Sequence, residues 1–331
     1  MPQRYHNASE VPLALAVFLA SDYYDYNDDP NVISTTTLLK PTRQIILAKR
    51  IPKNNGLEDL VGKMSNRIGA AVHDGIERAW VTNYHIALDS LGYPKSVINR
   101  IRINPSNVAL IEDPKIIPIY LEQRMEKKIG KWTITGKFDF IGEGRVQDFK
   151  TTKVWSYMNQ VNADKQILQG SIYRWLDPVK IKRDQMDIHH IFTDWKVSDA
   201  RANPKYPQKP FQKQMFTLKS LKETEQYIIQ KIAEIEKYSN AQEADLPFCD
   251  DEALWRSAPQ FKYYSKGIAV AKRATKVFDT MHDAIKHRAV EGKGLGEIKE
   301  FPGMVKACGY CPGFALCSQK DILIASGQLA T

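Results

Sequence analysis

Cysteine is scarce, with four residues in a chain of 331, and three of the four fall between Cys308 and Cys317. So sparse and clustered a set does not make a disulfide framework, and it points to a reducing compartment. Long apolar runs are also missing. The longest, Val11 to Ala20, spans ten residues against the ~20 needed to cross a bilayer, so it reads as a buried helix and no membrane partner is expected. Glu10 directly before this run, and the lack of a small-residue cleavage pattern after it, argue against a secretory signal. The expected location is cytoplasmic, or the nucleoid or host cytoplasm if the protein is virus-encoded. No repeat of fixed period and no low-complexity tract is found, which excludes solenoids and linker arrays. No phosphate-binding G-x-x-x-x-G-K-[ST] stretch occurs, so any ATP-driven unwinding must come from another protein.

What is present is an ordinary globular composition, 43% hydrophobic and 26% charged, with 18 Gly and 17 Pro. Lys and Arg number 47 against 38 Asp and Glu, for a net charge of +9. That surplus suits a polyanionic partner, although many basic proteins bind nothing anionic.

Periodicity divides the chain. Helices are expected over Glu10 to Ser21, Thr35 to Ile51 and about Leu57 to Leu91, with Asn27-Asp28-Asp29-Pro30 as a break. The period then becomes two, and Ile116 to Leu121, Trp132 to Ile141 and Arg145 to Thr151 read as a short antiparallel run. A helix over Asn162 to Leu176 and a strand over Met186 to Trp195 follow. Asp199 to Lys213 is expected as a surface loop, Leu218 to Ser239 as an amphipathic helix, and the remainder from about Leu246 as mostly helical.

Strand alternation places Asp148 and Lys150 on one face, with Phe149 pointing into the core. A two-residue turn at Glu143-Gly144 would set Asp139 opposite Asp148. Like charges across a ladder are destabilising unless neutralised, and a divalent cation does that while acidifying a bound water. The plain alternative is that both aspartates are solvated, with Lys150 as a surface counter-ion. Gly69-Ala-Ala-Val-His73 and Gln169-Gly-Ser-Ile-Tyr173 each set two residues on one helix face, with Gln166 a turn before Gln169.

Taken in order, GxxxH, GxxD, DxK and QxxxY resemble the RecB-type branch of the PD-(D/E)xK nucleases, which includes the AddB nuclease domain and the iron–sulfur nucleases of CRISPR adaptation. The resemblance covers about Leu57 to Leu176. It implies an α/β fold, a restriction-endonuclease-like mixed sheet flanked by helices, with a helical cysteine-bearing C-terminal extension. It also implies that His73, Asp139, Asp148 and the main-chain carbonyl of Phe149 hold Mg²⁺ or Mn²⁺. Lys150 would orient or deprotonate the attacking water and stabilise charge, while Gln169 and Tyr173 would position the phosphate. The expected activity is metal-dependent DNA hydrolysis, exonuclease in preference to endonuclease, in recombination, repair or processing. The rivals are a non-catalytic DNA-binding or assembly protein and an RNA-processing nuclease. Glu122 could line the same cleft, but a solvent-exposed glutamate at a strand end is the expected reading.

Cys308, Cys311 and Cys317 form C-x2-C-x5-C, thiolates close enough to share one soft metal centre, and Cys249 is the only other candidate ligand. The pattern resembles the [4Fe–4S] motif of the iron–sulfur nucleases. There the first cysteine precedes the core, whereas Leu39 to Arg43 contains none, so Zn²⁺ and metal-free cysteines remain alternatives. Trp195, Lys196, Arg201, Lys205, Tyr206, Lys209, Phe211 and Lys213 mix cations with rings on which unpaired bases can stack, or they make a stiff, soluble loop. Lys266 to Lys276, with Lys272 and Arg273 adjacent, adds charge. Expected partners are DNA, single-stranded or as duplex ends, and a helicase or recombinase. Three regions are expected: 1–56 as an N-terminal helical segment, 57–240 as the core with its basic loop, and 241–331 as the cysteine-bearing extension.

Overall fold

The computed structural model describes residues 5–21, 27, 29–51, 58–106, 113–271 and 273–330. Asp28, Leu57 and Lys272, which enter the expectations above, lie outside the described residues. The chain forms two compact units, residues 1–39 with 54–231, and residues 40–53 with 232–331.

In the first unit, β1 (Tyr5–His6) pairs with β3 (Glu58–Asp59), and β2 is Val32–Ser34. The strands that follow are β4 (Ile101–Ile103), β5 (Ile117–Leu121), β6 (Arg124–Ile129), β7 (Trp132–Lys137), β8 (Phe140–Gly142), β9 (Arg145–Thr152), β10 (Gln185–Phe192) and β11 (Phe211–Thr217). Six of them form a mixed sheet in the order β11-β10-β9-β8-β5-β4, and β2-β7-β6 form a second sheet. Helices Met64–Thr82, Tyr84–Ser90 and Ala163–Leu176 belong to the same unit. Trp80, Tyr84 and Leu88 pack on Ile101, Ile119, Leu121 and Phe140, so the apolar stripe of the first two helices covers the sheet's β4–β5–β8 end. The mixed sheet with helices expected from the sequence is therefore present.

Several elements differ from their expected form. Thr35 to Ile51 is two helices, Thr35–Leu38 and Thr42–Arg50, because Pro41 supplies no N–H to an uninterrupted ladder and instead precedes a new first turn. The helix Thr42–Arg50, early in sequence, clusters with the C-terminal unit. Trp132 to Ile141 breaks at Phe138-Asp139 into β7 and β8, which serve different sheets. The strand β6 has the polar sequence Arg-Met-Glu-Lys-Lys-Ile, with three consecutive exposed residues, so its alternation is hidden. Asp199 to Lys213 is not wholly loop: the helix Val197–Ala202 runs into it, and β11 begins at Phe211 and pairs antiparallel with β10.

The second unit contains helices Met281–Val290 and Ser318–Ala325, with Leu254, Val305, Cys308, Leu323 and Leu329 as its core. It also holds an antiparallel sheet that periodicity did not suggest, β13-β12-β14, made of Gln260–Tyr264 (β12), Lys276–Phe278 (β13) and Glu297–Phe301 (β14). No described helix is long and apolar enough to cross a membrane.

Candidate active site

The β8–β9 hairpin sets the geometry. Glu143 and Gly144 both have positive φ, at 53° and 72°, as a type I′ turn requires. Gly142 pairs with Arg145, Ile141 with Val146 and Phe140 with Gln147, the register expected from a Glu143-Gly144 turn. Asp139 sits one residue before β8, next in line toward Asp148. There Asp139 Oδ2 accepts a hydrogen bond from the Phe149 amide at 3.0 Å.

His73, from the helix Met64–Thr82, meets the same segment. Its Nε2 lies 2.9 Å from the Phe149 carbonyl oxygen, and a carbonyl can only accept, so Nε2 carries the proton. Nδ1 faces Asp139 Oδ2 at 3.3 Å and Glu122 Oε1 at 3.9 Å: protonated, it donates to Asp139, and deprotonated it offers a lone pair to an ion held by the same oxygens. Among the described residues, His73, Glu122 and Asp139 are the one group of three such donors whose ligand atoms all lie within 4.8 Å. This group could bind a metal ion. Glu122, expected at the surface, has a positive φ of 50° and a largely buried side chain, with Oε2 2.6 Å from Lys137 Nζ. Its turn after β5 was invisible to periodicity; the only signal was its place directly after an apolar strand.

Asp148 is 1% exposed. Its Oδ2 stands 2.5 Å from Lys150 Nζ, yet neither oxygen accepts a well-aligned hydrogen bond. Burial pushes the Asp148 carboxyl up to about 6, against the opposing pull of Lys150. Asp139 goes the other way: burial raises it, but the hydrogen bond and charge of His73, with Lys150, outweigh burial and hold it low. Its hydrogen bond to Asp139 raises His73, despite burial. For Lys150, burial favours the neutral amine, but the Asp148 and Asp139 carboxylates override it and raise its pKa. Lys150 is therefore an ammonium at neutral pH. Burial raises Glu122 although Lys137 opposes it.

Gln169 Nε2 donates to Tyr173 Oη at 2.8 Å, on the helix Ala163–Leu176. Gly136 of β7 explains how closely that helix approaches. A Cβ there would lie 2.8 Å from Leu176 and 2.9 Å from Tyr173, and 2.7 Å from Thr35 Oγ1. Phe149 is only partly buried and stacks on His189 at 5.3 Å. The structure thus brings His73, Asp139 and the Phe149 main chain into direct contact, pairs Asp148 with Lys150 and Gln169 with Tyr173, and adds Glu122. The Phe149 carbonyl is engaged by His73.

In the second unit, none of Cys249, Cys308, Cys311 and Cys317 takes part in a disulfide. Burial and then its cysteine neighbours push Cys249 up to about 11. Arg43, 1% exposed, donates from Nε to Cys317 Sγ at 3.2 Å and from Nη1 to the Leu246 carbonyl at 2.9 Å, and pairs with Glu243. It occupies the early segment where the resemblance would place a cysteine. In the basic segment, Trp195 Nε1 donates to the Pro207 carbonyl at 2.7 Å and Tyr206 Oη accepts from the Lys196 amide at 3.2 Å. Those two rings fasten the loop.

No protein-family model and no curated protein matches the chain. Among solved structures it is similar to the crystal structure of SSO0001, at 12% identity and a TM-score of 0.42, over 74% of this chain and 96% of that one. It is also similar to a phage-related exonuclease from Haemophilus somnus 129PT, at 15% identity and a TM-score of 0.24, over 36% of this chain and 60% of that one. Likenesses this distant carry no functional reading of their own.

Proposed function

We propose that the protein is a metal-dependent DNA nuclease of the PD-(D/E)xK type, close in design to the RecB branch, and an exonuclease. The observation that carries this reading is Asp148: a buried carboxylate with no aligned hydrogen bond, beside an ammonium and next to Asp139. A buried acceptor left in that state calls for an ion or water. Three carboxylates and an imidazole suit a hard divalent cation, Mg²⁺ or Mn²⁺, with Asp139, Asp148, His73 and Glu122 as the residues that would hold it.

When bound, such an ion acidifies water and offsets charge on the phosphoryl oxygens. The chain's own groups do the rest. Lys150, kept protonated by two carboxylates, acts as a fixed cation facing the developing negative charge rather than as a base. His73, oriented by the Phe149 carbonyl, holds its donor nitrogen toward Asp139. Gln169 and Tyr173, locked to each other, orient a phosphate.

The four cysteines fit a soft metal group. Thiolates in a C-x2-C-x5-C spacing, with Cys249 as a fourth, suit either an iron–sulfur cluster or Zn²⁺; the resemblance of the spacing to the iron–sulfur nuclease motif favours [4Fe–4S], with the Arg43 N–H aimed at Cys317. The group would clamp the second unit and take no part in hydrolysis. DNA is the proposed partner, and a helicase or recombinase would supply unwound ends.

The test offers labelled linear DNA, circular DNA and RNA to the purified protein with Mg²⁺ or Mn²⁺. Release of nucleotides from linear DNA, absent with EDTA, supports the reading. Binding without cleavage points to the assembly-protein rival, and preferential RNA cleavage to the processing rival.

A further inference from the structure

Beside the Asp148–Lys150 pair lies a cleft of about 260 Å³, lined in part by Lys150, Lys165, Gln166, Gln169, His190 and Gln214. Its position follows from the sheet. On the parallel β9–β10 ladder His190 is paired with Lys150, and paired residues show their side chains on the same face. Gln214 of β11 lies opposite Ile188, so it joins them on that face. The helix Ala163–Leu176 supplies Lys165, Gln166 and Gln169.

The chemistry of the wall is selective. No carboxylate lines the cleft, although acidic groups crowd its neighbour. Five side-chain amides, those of Gln160, Asn162, Gln166, Gln169 and Gln214, offer both donors and acceptors. Gln214 Oε1 accepts from His190 Nε2 at 3.1 Å, which leaves the Gln214 NH₂ to donate outward. That bond makes His190 Nδ1 an acceptor, and Nδ1 is buried without a partner. Interior acceptors in that state are rare and call for a donor from a ligand or water. Paired donors and acceptors are what the edge of a nucleobase presents, and Lys150 and Lys165 add cations suited to its phosphates. The volume is near the lower end for ligand pockets, ~300 Å³, which suits one base with its sugar and excludes a duplex.

Resting on the nuclease reading of Asp148 and Lys150, we propose that this cleft holds one unpaired nucleobase next to the cut phosphate, with Gln166 and Gln214 meeting its edge. The site is then a base-holding subsite, and the strand must be locally single at the point of cleavage.

The test compares binding of two fluorescein-labelled hexamers of equal charge, oligothymidylate and its abasic analogue, with Ca²⁺ replacing Mg²⁺ so that no turnover is needed. Wild type should bind oligothymidylate at least about fivefold more tightly, the scale of one hydrogen bond. Gln166→Ala, a substitution that favours the helix, should shrink that gap while leaving abasic binding unchanged. Equal affinity of the two hexamers for wild type, or a gap unaltered in Gln166→Ala, overturns the proposal. Oligothymidylate left uncut in Mn²⁺, with the affinity gap intact, would sink the nuclease reading and spare the subsite.

Discussion

Lys150 Nζ stands 2.5 Å from Asp148 Oδ2, and the two side chains differ in exposure: that of Asp148 is 1% exposed and that of Lys150 about a third. The buried carboxylate therefore depends on the ammonium for its charge balance. Asp148→Asn should abolish cleavage, by about 10² or more, while the protein stays folded, because a neutral amide at that depth has no charge to compensate. Circular dichroism beside a nuclease assay checks both halves.

Lys150→Ala should lose activity to a similar degree, about 10², but its stability should depend on pH. Asp148 already has its pKa raised to about 6 by burial, and loss of the ammonium raises it further. The folded state then holds a proton that the unfolded state releases at lower pH. Stability of the variant is highest in acid and declines as pH rises through the folded value. Thermal unfolding at pH 5 and pH 8 should show a wider gap from wild type at pH 8.

Metal affinity should fall in acid. An ion binds only the deprotonated forms of His73 and Asp148, both of whose pKa values are raised in the folded protein. Competition from the Asp148 proton sets in below about pH 6 and that from His73, raised from its ordinary 6.5, at a higher pH; each weakens binding by about tenfold per pH unit once its group is protonated. Titration calorimetry with Mn²⁺ at pH 8 and pH 5.5 measures this, and a pH-independent affinity would remove these groups from the ligand set. Glu122→Gln should weaken the same affinity about tenfold, the lower end for a group supporting a metal site.

Much of this site was legible in the sequence because it sits on regular elements. Period two fixed the face shared by Asp148 and Lys150, and the Glu143-Gly144 turn fixed the register. Helical spacing set Gln169 beside Tyr173. Glu122 was misjudged because strand alternation says nothing about a residue with positive φ beyond the strand's end. The strand β6 was missed because its exposed edge is charged. The split of Trp132 to Ile141 was hidden for another reason: both halves alternate, and only tertiary pairing shows that they join different sheets.

Gly136→Ala should destabilise the protein by about 1–3 kcal/mol through overpacking, since a Cβ at this position would press on Thr35, Tyr173 and Leu176. Relief requires the helix Ala163–Leu176 to shift, so turnover should drop alongside the melting temperature. A variant with wild-type melting would show that the helix has more room than the geometry allows.

Cys311→Ser should strip the soft metal from the second unit. Visible absorbance and iron analysis of anaerobically purified protein check this: brown colour and iron in wild type, both lost in the variant. Zinc in place of iron would reverse the preference for an iron–sulfur cluster.

The most direct test is anomalous diffraction at the manganese edge from crystals soaked in Mn²⁺. The account predicts a peak within coordination distance of His73 Nδ1 and of oxygens from Asp139 and Asp148. A peak elsewhere, or none there at saturating Mn²⁺ and pH 8, would contradict it.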